Sequence, residues 1–191
     1  MNLNDALAVI ATFSKKSIEV LTAGDNAFVN GNKPLPADLA DYIDRVCPVN
    51  GHTIEGVGHP VELLKSRDLT CQPDMYSAEE FGKWQDDWFL IAHDGGDPII
   101  VKLSDLDENS PVYSAMQGMG FWDFSPIADS IGQFLVCACA IQHALNFPGV
   151  SQPLDDDFNL APAAANWLFP FLRQHAGTHY DEWASVFENY I

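Results

Sequence analysis

The chain has 191 residues, of which 47% are hydrophobic and 12% aromatic, enough apolar material for one packed domain with or without an appendage and too much for a disordered chain. Nine Lys and Arg stand against 27 Asp and Glu, a formal charge of -18, which repels phosphate backbones and anionic lipid surfaces and argues against nucleic acid and membrane as partners. A basic protein partner suits that field, although solubility alone would account for it equally.

The amino terminus carries its lysines, Lys15 and Lys16, after the apolar stretch rather than before it, so it predicts no secretory signal and a cytoplasmic protein. Leu3, Leu7, Ile10, Phe13, Ile18 and Leu21 recur at near-helical spacing and predict an opening helix, with Asn4 as its cap. The Gly, Asn and Pro of 24–36 predict a loop, and Pro36 starts a helix to Val46 whose face is Leu39, Tyr42, Ile43 and Val46. Asn50-Gly51 is a turn signal, and a sheet begins in the alternation from Thr53 to Val57. The stretch from Val61 to Tyr76 reads ambiguously, and Ser77-Ala78-Glu79-Glu80 resembles a helical first turn.

The clearest element is a hairpin, Trp88 to Ala92 and Ile99 to Leu103, joined by the turn-forming Asp94-Gly95-Gly96-Asp97-Pro98. A third strand, Pro111 to Ala115, completes an antiparallel meander. Ser125-Pro126 is expected to start a helix that carries Ile127, Ile131, Phe134 and Leu135 on one face and continues towards Leu145. Within it, the apolar run from Ile131 to Ala140 is too short to span a bilayer and predicts a buried helix. Residues 1–150 are thus expected to form one α+β domain, with 151–191 a C-terminal helical extension packed on it. That extension comprises helices from Ala161 to Gln174, kinked or divided at Pro170, and from Asp181 to Tyr190.

Little in the chain points to a reaction. His175 and His179 stand four apart, as zinc ligands on one helical face would, but Gly177 lies between them and no Cys-x-x-Cys accompanies them. His52 and His59 read as loop histidines. Asp155-Asp156-Asp157 lacks the spacing of a calcium loop, and Asp94 and Asp97 are what the geometry of a turn demands before any acid–base role. Cys47, Cys71, Cys137 and Cys139 are read as reduced. No phosphate-binding loop or nucleophile elbow occurs, so the expectation is a non-enzyme with no catalytic residue, metal or cofactor. Phe121-Trp122-Asp123-Phe124 stands out as a candidate contact surface, because Trp among acidic and apolar neighbours is common at interface hot spots.

The order of Leu35-Pro36-Ala37-Asp38-Leu39, Val49-Asn50-Gly51, the strand from Trp88 to Asp97, Ile99 to Leu103, Ser110-Pro111-Val112-Tyr113 and Ile127 to Leu135 resembles the SUKH superfamily. That group comprises bacterial immunity proteins and a yeast cell-wall synthesis regulator. The resemblance covers roughly Leu35 to Leu145; the opening segment, the stretch from Val61 to Lys83 and the C-terminal extension depart from it. It implies an α+β fold with a mainly antiparallel twisted sheet of about four to six strands packed against helices. In bacterial members it implies neutralisation of a toxin by direct binding, with no catalytic residues shared by the family. The function expected is therefore that of an immunity protein whose partner is a cognate, basic toxin, with acidic residues standing in for substrate phosphates. The alternative is a regulatory or scaffolding protein of cell-envelope or signalling machinery. The partner-binding residues expected are Asp86, Asp87, Asp94, Asp97, Asp105, Asp107 and Glu108, with Trp122 as an apolar anchor.

Overall fold

The computed structural model of the chain describes residues 1–21, 34–48, 50–71, 73–76, 82–105, 109–118 and 121–190. The expected loop at 24–33, the helical first turn at 77–80, and Asp107 and Glu108 lie outside the described residues. The opening amphipathic segment folds as two helices, α1 (Leu3–Phe13) and α2 (Lys15–Leu21), divided at Ser14, whose φ of -139° and ψ of 88° are not helical. Their cap is Asn2 rather than Asn4: the Asn2 side chain accepts from the Asp5 amide at 2.9 Å. α3 (Ala37–Arg45) follows Pro36, as the fixed φ of proline favours, and buries Asp38, Leu39, Tyr42 and Ile43.

Among the described residues, six strands follow in a simple antiparallel meander whose spatial order is the chain order. They are β1 (His52–Ile54), β2 (Val61–Leu63), β3 (Trp88–Asp94), β4 (Asp97–Lys102), β5 (Val112–Gly118) and β6 (Phe121–Ala128). The β3–β4 hairpin turns on Gly95 and Gly96, at φ of 59° and 106°, conformations that side chains with a Cβ rarely adopt. The ambiguous stretch after Val61 supplies β2, a one-turn 3-10 helix at Ser66–Asp68, and an isolated bridge from Thr70 to Leu90.

One face of this sheet is covered by helices. α4 (Ile131–Leu145) lies beneath them, buried along its length except at Gln142 and His143, and α1, α3 and α5 (Pro162–His175) pack around it. Phe89, Ala92, Ile99, Val101 and Val112 from the sheet, with Leu168, Leu172, Trp183 and Phe187 from the C-terminal segment, belong to one continuous core. All four cysteines are free, and Cys47, Cys137 and Cys139 are buried. Burial pushes the Cys139 thiol up to about 12, so it stays protonated and inert. Among the described residues no helix is long and apolar enough to cross a membrane.

Three further expectations are corrected. Ser125-Pro126 does not start a helix: both residues belong to β6, with Pro126 opposite Tyr113. β6 ends the strand order, and a proline on an edge strand leaves no ladder bond unmade on its open side. The helix begins at Ser130, whose hydroxyl accepts from the Gln133 amide at 3.1 Å and donates to the Met1 carbonyl at 2.7 Å, tying the helix start to the amino terminus. Replacing Ser130 with Ala is expected to cost about 1 to 2 kcal/mol in chemical denaturation, because it removes both the cap and the tie.

Second, Pro170 does not divide α5, which runs on through it; Pro170 is exposed, as is Asn166 one turn earlier, so the carbonyl that proline leaves without a partner faces water. Third, the last helix, α6 (Tyr180–Ala184), is shorter than expected and is preceded by a 3-10 turn at Gly177–His179, where Gly177 has φ +60°.

Candidate functional site

The opposite face of the sheet carries a second, separate cluster to which no α-helical residue among those described contributes. Leu90, Ile100 and Tyr76 are buried there, with Trp84, Trp88, Tyr113, Trp122 and Phe124 half-buried around them. In a flat sheet β3 and β6, with two strands between them, would stand about 14 Å apart. The rings of Trp88 and Phe124 nevertheless approach to 4.4 Å. The sheet is therefore coiled, and bulges between Leu90 and Ala92 and between Val112 and Tyr113 add to the twist. The outer part of β5–β6 bends across this face. Trp84 joins the two sides: it stacks on Tyr76 at 5.3 Å and meets Trp88, Trp122 and Phe124 edge-on at 5.4, 5.9 and 6.3 Å.

Tyr76 is further fixed by its hydroxyl, which donates to the Gly96 carbonyl at 2.6 Å. That hydroxyl has a single proton, so the 2.8 Å contact with His93 requires His93 Nδ1 to donate to it. Burial lowers the pKa of His93, partly offset by Glu62, and burial raises that of Tyr76, with Asp97 adding to the rise. Both are neutral at pH 7, and together they hold the β3–β4 turn to the aromatic cluster.

The described acidic residues expected to bind a partner fall at the two ends of the sheet rather than at one place. Asp86 and Asp87 precede β3; Asp87 accepts from the Ser104 hydroxyl at 2.9 Å, and Asp105 accepts from the Tyr113 hydroxyl at 3.2 Å. Lys102 lies 4.0 Å over the same Tyr113 ring. Asp97 sits at the other end of this strand pair, about 20 Å away for a seven-residue strand, whereas Asp94 beside it lines the opposite, helix-covered side, where it meets His59, and so does not belong to this face as expected. Trp122 is neither an isolated surface residue nor packed under a helix. It is half-buried in β6 against Trp84 and Tyr76, and Phe121, on the other face of β6, is exposed.

His175 and His179 diverge across the break at Gly177. His175 packs on Phe171 at 4.4 Å, while the buried His179 binds Asp129 through Nε2 at 3.0 Å. Asp155 accepts from the amides of Asp157 and Asn159 and from the Asn159 side chain, which lowers its pKa and uses its carboxylate inside its own turn. Among the described residues, no group of three or more His, Cys, Asp or Glu could hold a metal ion.

Two polar arrangements escaped the sequence. His59 Nδ1 meets Asp94 Oδ1 at 2.5 Å, and the signal for it is the β2–β3 register, which sets Val61 opposite Asp94 and carries His59 to the turn. Burial raises the pKa of Asp94, and the histidine beside it pulls the other way. The second is Gln133, which accepts from the Asp129 amide at 2.6 Å and donates to the His175 carbonyl at 2.8 Å, joining the start of α4 to the end of α5. No protein-family model, no curated protein and no solved structure matches this chain.

Proposed function

We propose that this chain is a non-catalytic protein-binding module of the SUKH type, an immunity protein that acts in the cytoplasm by covering a cognate basic toxin. The observation that carries this reading is the aromatic cluster on the helix-free face of the sheet, with Asp86, Asp87 and Asp105 at one end and Asp97 at the other. Half-buried tryptophans supply large rigid area at low entropic cost, and carboxylates around them raise the encounter rate with a basic surface. The net charge of -18 gives the whole molecule the same sign.

The test is capture of proteins encoded beside the gene on the purified chain, followed by titration of any partner at low and high salt. Tight binding to a basic toxin domain that weakens with salt supports the reading. The double replacement Asp86→Asn and Asp87→Asn is expected to slow association about three- to tenfold, with little change in dissociation. Failure to bind any neighbouring product sinks the immunity function and leaves a regulatory or scaffolding role in its place.

A further inference from the structure

On the helix-covered side of the sheet, away from the aromatic face, a half-open pocket of about 280 Å³ lies between the strands, α4 and α6. Its inner wall is apolar: Val61 and Ile99 from the sheet, Phe134, Ala138 and Ile141 along one face of α4, and Trp183 from α6. Trp183 is held as a wall rather than a donor, because its Nε1 already donates to the Ile127 carbonyl at 2.7 Å. Ala138 is the small residue of the α4 wall: Phe134 and Ile141, a turn to either side on the same helical face, are large. An engineered apolar cavity of roughly 150 Å³ takes a benzene ring, so this one has room for an apolar body of roughly a dozen non-hydrogen atoms.

The lining residues that reach solvent are of another kind. Glu55, His59 and Glu182 are exposed and Asp94 is half-buried, so they form the mouth. Three carboxylates there face one imidazole, which is itself bound to Asp94. Glu55 keeps one oxygen on the Asn146 amide at 2.6 Å, and Glu182 has no hydrogen-bonding or ionic partner among the described residues. An apolar chamber behind an anionic mouth selects a molecule with an apolar body and a cationic head.

We infer that this pocket is a binding site for a small primary amine with an aliphatic or aromatic tail, its ammonium at Glu55, Asp94 and Glu182 and its tail against Phe134, Ala138 and Trp183. The site is independent of the face that carries the proposed partner binding, so either assignment stands or falls alone.

Hexylamine, hexanol and hexanoate share one tail and differ in head charge, which makes them the probes. Each is titrated into the full chain while amide and methyl resonances are followed by NMR. Hexylamine is expected to shift the resonances of Ile99, Ala138 and Ile141 and to bind roughly tenfold more tightly than hexanol, with hexanoate weakest. Glu182→Gln, on the surface and outside the core, is expected to weaken hexylamine about two- to fivefold and leave hexanol unchanged. Ala138→Leu fills the chamber and is expected to abolish binding of all three. Equal affinity for the three head groups, shifts confined to residues elsewhere, no binding by hexylamine, or indifference of hexylamine to Glu182→Gln would each overturn the proposal.

Discussion

Replacing Asp38 with Ala is expected to lower the stability of the fold by about 3 kcal/mol, whereas Asp38→Asn leaves it within about 1 kcal/mol of the parent. A single carboxylate oxygen of this buried α3 residue accepts from the Ile131 amide at 3.0 Å and the Ser110 amide at 3.3 Å. It thereby ties α3 to the first turn of α4 and to the residue two before β5, across 93 and 72 positions of sequence. Alanine leaves two amides without that acceptor in a place closed to water, and each costs about 1 to 3 kcal/mol. Asparagine presents a carbonyl oxygen at the same position and sheds the buried charge. The two variants thus separate the acceptor from the ion, and equal losses for both would show that the charge itself is required.

The same residue sets a pH dependence. Burial raises its pKa in the folded chain, only partly offset by the Ile131 and Ser110 amides. Between the ordinary carboxylate value and that raised value the folded state keeps a proton that the unfolded chain has released, so the contribution of Asp38 to stability falls as pH rises through the window. Below the window both states are protonated and above it both are ionised, so its contribution is level on either side. Urea midpoints measured from acid to neutral pH are expected to show this slope in the parent relative to Asp38→Asn. A pH profile identical in the two proteins would remove Asp38 from the titration.

What could be read from the chain in advance was whatever local chemistry decides. The β3–β4 hairpin follows from Asp94-Gly95-Gly96-Asp97, α3 from Pro36, and the buried α4 from an apolar run with few polar interruptions. β6 failed because Ser125-Pro126 is as good a helix start as Ser130, and the choice is made by a neighbouring strand, β5, which the local sequence does not contain. A better signal was present: Ser130-Ile131-Gly132-Gln133 has the spacing of a capping box, although Gln133 uses its oxygen on Asp129 rather than on the cap itself. The candidate sites were legible only as residue types. Asp86 and Asp94 look alike in sequence, yet one lies at the end of the sheet where β3 begins and the other is half-buried against His59 at its far end, because seven residues of strand separate them. The amine pocket has no local signal, since its wall is drawn from β2, β4, α4 and α6.

Trp84→Ala is expected to destabilise the chain by about 3 kcal/mol and to do so unevenly. Trp84 lies outside the main core, so its loss leaves the contacts between the sheet and α4 intact. It does remove the one side chain among the described residues that touches Tyr76, Trp88, Trp122 and Phe124 together, along with the Nε1 hydrogen bond to the Trp88 carbonyl at 3.3 Å. The outer part of β5–β6 pairs with β4 only through Val112, Tyr113 and Ser114, so beyond Ser114 the arm is held by its own ladder and by these rings. Amide hydrogen exchange should therefore quicken most in 115–118 and 121–124 and least in β3 and α4. Because the same rings form the proposed contact surface, a mobile arm is also expected to weaken partner binding more than the loss of one ring's area would, through the cost of ordering it again on association. Exchange that quickens to the same degree throughout the sheet would mean that the aromatic cluster is part of the global core after all, and that the arm has no independent motion for a partner to arrest.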